Sequence, residues 1–271
     1  MQQAEREWLA RLPVRDMVRY GWILPTDNPR LQAAECLRFF DVESVPVWRH
    51  KYSRLRELAA FRTSPSFEVD AAATAAWLRQ GQIEAGELRC APWEAASFEE
   101  ELVVIRRLTT VKDPDAFLPR LQSLCAKCGV ACVVLRAPLG CRASGAAYFM
   151  SPDKAVVQLS FRYLTDDQFW FSFFHEAGHL LIHGPDHFFL ELAKAASTDE
   201  EREANSFAAS ILVPPEFQQR MMELGDHWAE IVRFAVQIGV APGVVVGQLQ
   251  YFGKLRRNQL NRLKRRFAWE D

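Results

Sequence analysis

The pattern of apolar and polar positions predicts a mostly helical α+β chain. Up to about residue 107, apolar residues recur at helical spacing in segments that prolines interrupt, and residues 70–88 form the clearest of these helices. Residues 115–128 indicate a helix that Gly129 ends, and residues 131–135 indicate a buried strand. We therefore expect a helical N-terminal region, 1–107, followed by a second domain, 108–271, that contains a small β-sheet.

A β-hairpin is predicted in the middle of the second domain. Residues 147–150 and 155–161 are short runs rich in small, β-branched and aromatic side chains, and they flank the turn Ser151-Pro-Asp-Lys154. Two interpretations of this sheet stay open. It either supports the helix that follows, or it borders a cleft with an edge strand to which an extended peptide adds through backbone hydrogen bonds.

The segment after the hairpin predicts a helix buried inside the domain. Thr165 and Gln168 have the spacing of a capping box, and Gly184-Pro185 is a stop signal. Between these ends the helix is apolar on nearly all sides, which is typical of a helix that the domain surrounds. The residues that give it this character are Phe169, Trp170, Phe171, Phe173 and Phe174.

This apolar helix contains the ionisable residues His175, Glu176 and His179 close together. A spacing of four places the two imidazoles on one face, one turn apart, where they can share a metal ion. Burying two histidines and a glutamate is costly without partners, which favours ligation over a pair of core histidines that only form hydrogen bonds. Glu176 can reach a water on such an ion and act as general base. The motif therefore predicts a hydrolytic zinc site.

A catalytic zinc needs a third protein ligand. His183 lies about 12 Å from His175 by helical rise, too far to join the same ion. A second helix is predicted to begin within residues 197–203. Glu200 and Glu201 lie one helical turn before its apolar residues and therefore on the same face. We favour Glu201 as the ligand.

Two neighbours of Glu201 have different expected roles. Asn205 lies one turn beyond Glu201 on the same side of the helix. There it can form a hydrogen bond with a ligand histidine, through the ring nitrogen that does not bind the metal. Glu200 and Glu203 are better explained as acids that favour a helix N-terminus.

At this point the sequence resembles a known family. The words His175-Glu-Ala-Gly-His179, Glu201-Arg-Glu-Ala-Asn205 and Ile211-Leu-Val-Pro214 resemble those of the ImmA/IrrE family of zinc metallopeptidases, over roughly residues 121–215. The resemblance implies a zincin-like fold, with His175, His179 and Glu201 as zinc ligands and Glu176 as catalytic base. It also implies a protein substrate, because members typically cut a partner repressor, often in stress responses or mobile-element control.

Words further upstream, such as Trp8-Leu-Ala-Arg-Leu-Pro-Val and Ala76-Trp-Leu-Arg-Gln-Gly, are similar to a subgroup of HigA-like regulators or antitoxins. In that subgroup a helix-turn-helix usually precedes the stretch with which this sequence begins. Two functions follow as hypotheses. One is a zinc endopeptidase that cuts a repressor or another regulatory protein. The alternative is a non-catalytic, zinc-containing regulator or antitoxin subunit that binds a toxin, a repressor or DNA.

The composition and charge of the chain give information about its cellular location but little about its function. The chain has 271 residues, 49% of them hydrophobic and 25% charged, and its formal net charge of −1 indicates no bulk electrostatic partner. Its start lacks a basic segment followed by an apolar one, and no apolar run is long enough to span a membrane. We expect a cytoplasmic protein without a membrane partner.

Six cysteines offer a competing metal site around Cys125, Cys128 and Cys132. A zinc ribbon needs a second cysteine pair at suitable spacing, and only Cys141 follows. The favoured interpretation is that Cys132 is a small apolar residue of a buried strand.

The C-terminal segment from about residue 216 is predicted to be helical and basic. Residues 231–269 contain eight Lys or Arg and no acid, and residues 234–246 have the helix, glycine turn and helix of a DNA-binding motif. Weak nucleic-acid contact is one interpretation. The plainer one is a helical pair packed on the catalytic domain, with its basic residues in solvent.

Overall fold

A computed structural model describes residues 2–53, 67–185, 189–192 and 198–269 of the chain. The chain divides into two units: the first contains Met1–Glu84 and Leu135–Ala143, and the second contains Ala85–Val134 and Ser144–Asp271. Residues 85–107, which the sequence pattern assigns to the N-terminal region, belong to the second unit in this division.

The first unit is built from helices around an aromatic core, so the expected N-terminal helical region is present. Phe40 is fully buried, and the ring centroids of Trp8, Trp48 and Tyr52 lie 6.3, 5.6 and 5.5 Å from its own. Edge-to-face and tilted ring contacts of this kind stabilise a core beyond the area they bury. Its helices are α1 (Gln3–Arg11), α2 (Val14–Arg19), α3 (Pro29–Phe40), α4 (Val45–Lys51) and most of α5 (Phe67–Glu87).

The second unit combines helices with a small mixed sheet, which confirms the predicted α+β class. The described strands have the order β1-β3-β2-β4, with β1 parallel and β2 antiparallel to β3. Its elements are α6 (Ala95–Leu108), α7 (Pro114–Lys127), β1 (Val130–Val134), β2 (Ala143–Ser151), β3 (Lys154–Leu159), α8 (Asp166–His183), β4 (Phe189–Leu192), α9 (Asp199–Leu212), α10 (Pro215–Glu223), α11 (Trp228–Ile238), α12 (Pro242–Tyr251) and a 3₁₀ turn at Asn261–Leu263.

The predicted hairpin is confirmed as β2 and β3, but it has no free edge among the described strands. In the order β1-β3-β2-β4, the hairpin is flanked on both sides: β1 pairs with β3, and β4 pairs with β2. Of the two interpretations, the one that places the hairpin at the edge of the sheet is therefore wrong. β2 also begins earlier than predicted, at Ala143, because its first residues are small and buried on both faces and show no alternation.

Helix α8, the predicted buried helix, packs against α9 at close range. Thr165 is its N-cap residue as expected, but the threonine side chain makes no capping hydrogen bond, so the predicted capping box is wrong. The Thr165 backbone instead forms a bridge to Arg266. Inside the helix, an added Cβ at Gly178 would lie 3.0 Å from Phe207 Cδ1 of α9. Gly178 therefore permits the close approach of the two helices.

The helix predicted in the acidic segment is α9, which begins at Asp199 with Thr198 as its N-cap. The hydroxyl of Thr198 accepts a hydrogen bond from the Glu201 amide. The predicted start at Ser197 lies outside the described residues. The helix ends at Leu212, immediately before the Val-Pro-Pro stop signal.

Helices α11 and α12 form the predicted helix, glycine turn and helix, with Gly239 at φ +73° in the turn. The second helix of such a motif must be accessible to enter a DNA groove. Here α12 is largely buried, through residues that include Val244, Val245, Val246 and Leu249. No single described helix is long and apolar enough to cross a membrane, and α11 with α12 meets that criterion only as a pair bent by 109°.

The basic C-terminal segment is helical only as far as Tyr251, apart from the 3₁₀ turn. Gly253 and Leu260, at φ +73° and +56°, interrupt the helical path. Beyond them the chain returns to the start of α8, where the Arg265 carbonyl accepts from the Asp166 amide at 3.0 Å and the Phe267 amide donates to the Leu164 carbonyl at 2.9 Å. Lys264 and Arg265 in this segment are shielded from solvent in part, so the expectation that the basic residues are all solvated is wrong.

A buried ion pair attaches this segment to α8. Lys264 Nζ lies 2.6 Å from Asp167 Oδ2 and 2.7 Å from Gln250 Oε1, and both charged side chains are nearly inaccessible to solvent. Arg265 adds hydrogen bonds from its guanidinium to the carbonyls of Thr109 and Val111. The first turn of the metal-motif helix is thus held by residues about a hundred positions later in the chain.

We predict that Lys264→Met lowers the free energy of unfolding by about 3–5 kcal/mol, because it leaves the Asp167 carboxylate buried without its cation. The control Arg262→Met removes an exposed charge from the same segment and should change the value by less than about 0.5 kcal/mol. Urea denaturation of both variants provides the measurement. Equal changes in the free energy of unfolding for the two variants would show that the ion pair between Lys264 and Asp167 does not stabilise the fold.

Candidate metal centre

Two helices bring the predicted site residues together. His175 and His179 lie one turn apart on α8, and both side chains are almost completely buried. Glu201 lies in the first turn of α9, with 21% of its side chain exposed. The three side chains meet where α8 and α9 pack, and the partly exposed carboxylate marks the side of the cluster that is open to solvent.

The distances between the candidate ligand atoms suit a single ion. His175 Nε2 lies 3.0 Å from His179 Nε2, and the Glu201 carboxylate oxygens lie 3.4 Å from His175 Nε2 and 3.6 Å from His179 Nε2. A tetrahedral zinc with bonds of about 2.0–2.1 Å places its ligand atoms about 3.4 Å apart. The observed separations agree with that value within a few tenths of an ångström, so the residues fit the ion.

Within the described residues, these three side chains form the only cluster of histidine, cysteine and carboxylate groups arranged to hold a metal. Cys125, Cys128 and Cys132 are all described, and they form no such group. The cysteine metal site considered from the sequence is therefore wrong. Burial raises the pKa of the Cys125 thiol well above its usual value, and its neighbour Cys132 adds to the effect. All three cysteines are buried core residues.

Asn205 contacts His175 on the side of the ring opposite the candidate metal position. Its Oδ1 lies 3.1 Å from His175 Nδ1. Because an amide oxygen only accepts hydrogen bonds, His175 Nδ1 must carry the proton and donate. In the neutral ring this leaves the lone pair on Nε2, the atom that faces Glu201.

The ionisation of the cluster suits metal binding. Burial of Glu201 works against its charged form, but the adjacent rings of His175 and His179 outweigh this effect and lower the Glu201 pKa to about 2. Burial lowers the pKa of His179, and this effect exceeds the opposing attraction of Glu201. An ionised carboxylate and a neutral imidazole are the forms that ligate zinc.

Glu176 is fully buried beside the candidate ligands, and its carboxylate lies against strand β2. A methyl group at Gly145 of β2 would overlap the Glu176 carboxylate. Glycine is therefore required here so that the strand and the carboxylate can approach each other. Gly145 therefore makes room for Glu176, a role that was not predicted from the sequence. The available signal was a glycine within an apolar strand pattern, which often marks a close backbone approach.

Aromatic rings flank both histidines. The Phe189 ring stacks on His179 with centroids 3.9 Å apart and planes 10° apart, and the Phe171 ring lies 6.3 Å from His175. Apolar walls of this kind exclude water from a metal site and restrict the orientation of its ligands. Phe189 was not expected from the sequence, because it reaches the site from β4 rather than from either motif helix.

Two further polar residues approach the cluster and had been given no role in it. His183 Nδ1 lies 3.1 Å from His179 Nδ1, and Glu203 Oε2 lies 3.0 Å from His183 Nε2. Neither belongs to the group of three ligand atoms. Glu203 therefore contacts a histidine and does more than favour the N-terminus of α9.

Residues 130–250 match the model of one protein family, Peptidase_M78, the IrrE N-terminal-like domain. The match supports the resemblance to the ImmA/IrrE family. It runs from β1 almost to the end of α12, and it includes all of the candidate site residues. The match indicates a metallopeptidase-type function, and hence a metal ion, for this part of the chain. A comparison with curated proteins finds no match for the chain.

We predict that Gly145→Ala displaces the Glu176 carboxylate and lowers the free energy of unfolding by about 1–3 kcal/mol, as overpacking does in other cores. The matched control is Gly86→Ala in α5, where the nearest side-chain atom would be 4.0 Å from the added Cβ. A helical alanine should be neutral or stabilising there. Denaturation curves compare the two variants, and an unperturbed Gly145→Ala would remove the assigned role of Gly145.

Proposed function

We propose that this protein is a zinc endopeptidase that hydrolyses a peptide bond in a regulatory protein, such as a transcriptional repressor. The observation that carries the proposal is the convergence of two imidazole nitrogens and a carboxylate beside a buried glutamate. His175, His179 and Glu201 would hold the ion. The family match over residues 130–250 supports the peptidase class.

When bound, zinc lowers the pKa of a coordinated water to about 7 and polarises a carbonyl. Glu176 would accept the proton of the attacking water and pass it to the amine that leaves. The lack of a side chain at Gly145 leaves space for the Glu176 carboxylate beside β2. Phe171 and Phe189 limit access of bulk water to the histidines.

The sheet offers a place for an extended substrate. β4 is an edge strand in the described order, and its first residue, Phe189, stacks on His179. A peptide that paired with this edge would run past the metal ligands, and backbone hydrogen bonds would hold it independently of most side chains. This arrangement supports a protein substrate, and it assigns to β4 the role first considered for the hairpin.

The six cysteines lie within the described residues and are free thiols. Free thiols are typical of proteins in reducing compartments. They support a cytoplasmic location, where a repressor would be accessible to the peptidase.

We predict that Glu176→Gln keeps about one zinc per chain and reduces cleavage by about 10²–10⁴-fold, because the amide cannot accept the proton. Zinc is counted by elemental mass spectrometry. Cleavage is measured as new protein N-termini in cells that express the wild type, Glu176→Gln or the exposed-acid control Glu100→Gln, each with and without a chelator.

Chelator-sensitive N-termini should appear with the wild type and Glu100→Gln only. The same N-termini from Glu176→Gln would contradict the assignment of the base. The non-catalytic regulator or antitoxin makes a different prediction: it needs the zinc but not Glu176, and it would retain a toxin, repressor or DNA without producing any fragment.

A further inference from the structure

Beyond the three candidate ligands, a chain of hydrogen bonds runs from His179 to the protein surface. His179 Nδ1 lies 3.1 Å from His183 Nδ1, and His183 Nε2 lies 3.0 Å from Glu203 Oε2. The His183 side chain is 9% exposed, whereas that of Glu203 is 57% exposed. We infer that His183 and Glu203 are positioning residues that fix the ring of His179 as an Nε2 ligand. This inference rests on the proposed metal site.

The atoms at each contact determine where the protons lie. An ionised carboxylate only accepts hydrogen bonds, so His183 Nε2 must donate to Glu203. A neutral imidazole has one donor and one acceptor nitrogen, so His183 Nδ1 is then the acceptor. The Nδ1–Nδ1 contact needs one proton between the two rings, and that proton belongs to His179. The lone pair of His179 is therefore on Nε2, facing His175 and Glu201.

Asn205 imposes the same outcome on His175, because its amide oxygen accepts from His175 Nδ1. The two Nε2 lone pairs then face each other at 3.0 Å, and the Glu201 carboxylate oxygens lie 3.4 and 3.6 Å from them. Three electron-rich atoms at such distances repel one another unless a cation lies between them. Asn205 and the pair formed by His183 and Glu203 thus prepare the two histidines for one ion in the same way.

The ring of His183 cannot act as a further ligand in this arrangement, because its Nδ1 is directed at His179 and its Nε2 at Glu203. Phe189 also packs on both imidazoles, with its centroid 3.9 Å from that of His179 and 5.0 Å from that of His183. Ligating histidines commonly donate their second nitrogen directly to a carboxylate. Here His183 lies between the ligand His179 and the carboxylate of Glu203. The carboxylate can therefore remain exposed to solvent.

A plainer role for His183 is that of a cation at the C-terminus of α8, paired with Glu203. That role makes the opposite prediction. A protonated His183 would donate from Nδ1, His179 would have to accept there, and the proton of His179 would move to Nε2, where it blocks metal binding. The tautomer of His179 therefore distinguishes a positioning pair from an ion pair at a helix end.

The first test compares zinc dissociation constants, obtained by competition with a chromophoric chelator. His183→Phe keeps an aromatic ring beside Phe189 but loses the acceptor, and we expect affinity to fall about 10–100-fold. His183→Asn places an amide oxygen near the position of Nδ1 and should restore most of the affinity. The exposed-histidine control His50→Phe and the acid control Glu200→Ala should bind as the wild type does.

The second test is ¹⁵N-correlated NMR of the imidazoles in the full-length protein, which remains decisive if His183→Phe does not fold. We expect a proton on Nδ1 of His179 and on Nε2 of His183. Wild-type affinity in His183→Phe, equal weakening in His183→Asn and His183→Phe, or a proton on Nε2 of His179 would each overturn the inference. A wild-type protein that binds no zinc would instead refute the proposed function itself.

Discussion

The central constraint on this structure is the burial of two imidazoles and a carboxylate against one another between α8 and α9. An isolated cluster of this kind is unfavourable in a protein interior, because lone pairs and negative charge lose their hydration without gaining a counterion. A cation between them converts the same atoms into a stabilising centre, and its binding free energy becomes part of the free energy of folding. Binding of such a cation would therefore stabilise the packing of α8 against α9.

The surrounding elements limit the freedom of that centre. Gly178 lets α9 approach α8, and Gly145 lets β2 approach the Glu176 carboxylate. At the start of α8, Asp167 pairs with Lys264 from the C-terminal segment. These contacts come from a helix, a strand and a distant segment, and together they hold α8 in position and orientation.

The sequence could predict what depends on short-range periodicity. The spacing of His175 and His179, the apolar stripe that selects Glu201, and the turn between β2 and β3 are all local patterns. The order of the strands is not local, so the sequence left open whether the hairpin lies at an edge of the sheet, and the structure places β4 at the edge beside it. The pairing of Lys264 with Asp167 joins residues far apart in the sequence. For the same reason, the basic side chains of the C-terminal segment were expected to lie in solvent, although Lys264 is nearly buried against α8.

The residues missed near the metal centre had plainer explanations in the sequence. His183 was too far along the helix to ligate, and Glu203 had the ordinary role of an acid at a helix start. Only the side-chain geometry shows that the two meet behind His179. Spacing rules identify residues that could touch an ion, whereas the groups that orient those residues are recognised from hydrogen bonds.

The most direct test of the metal centre is the location of zinc in a crystal of the zinc-loaded protein, from anomalous diffraction on both sides of the zinc absorption edge. We expect one peak per chain, bonded to Nε2 of His175, Nε2 of His179 and the Glu201 carboxylate at about 2.0–2.2 Å. A peak elsewhere, a Glu201 side chain turned away from the ion, or no peak at this position despite supplied zinc would contradict the proposed centre.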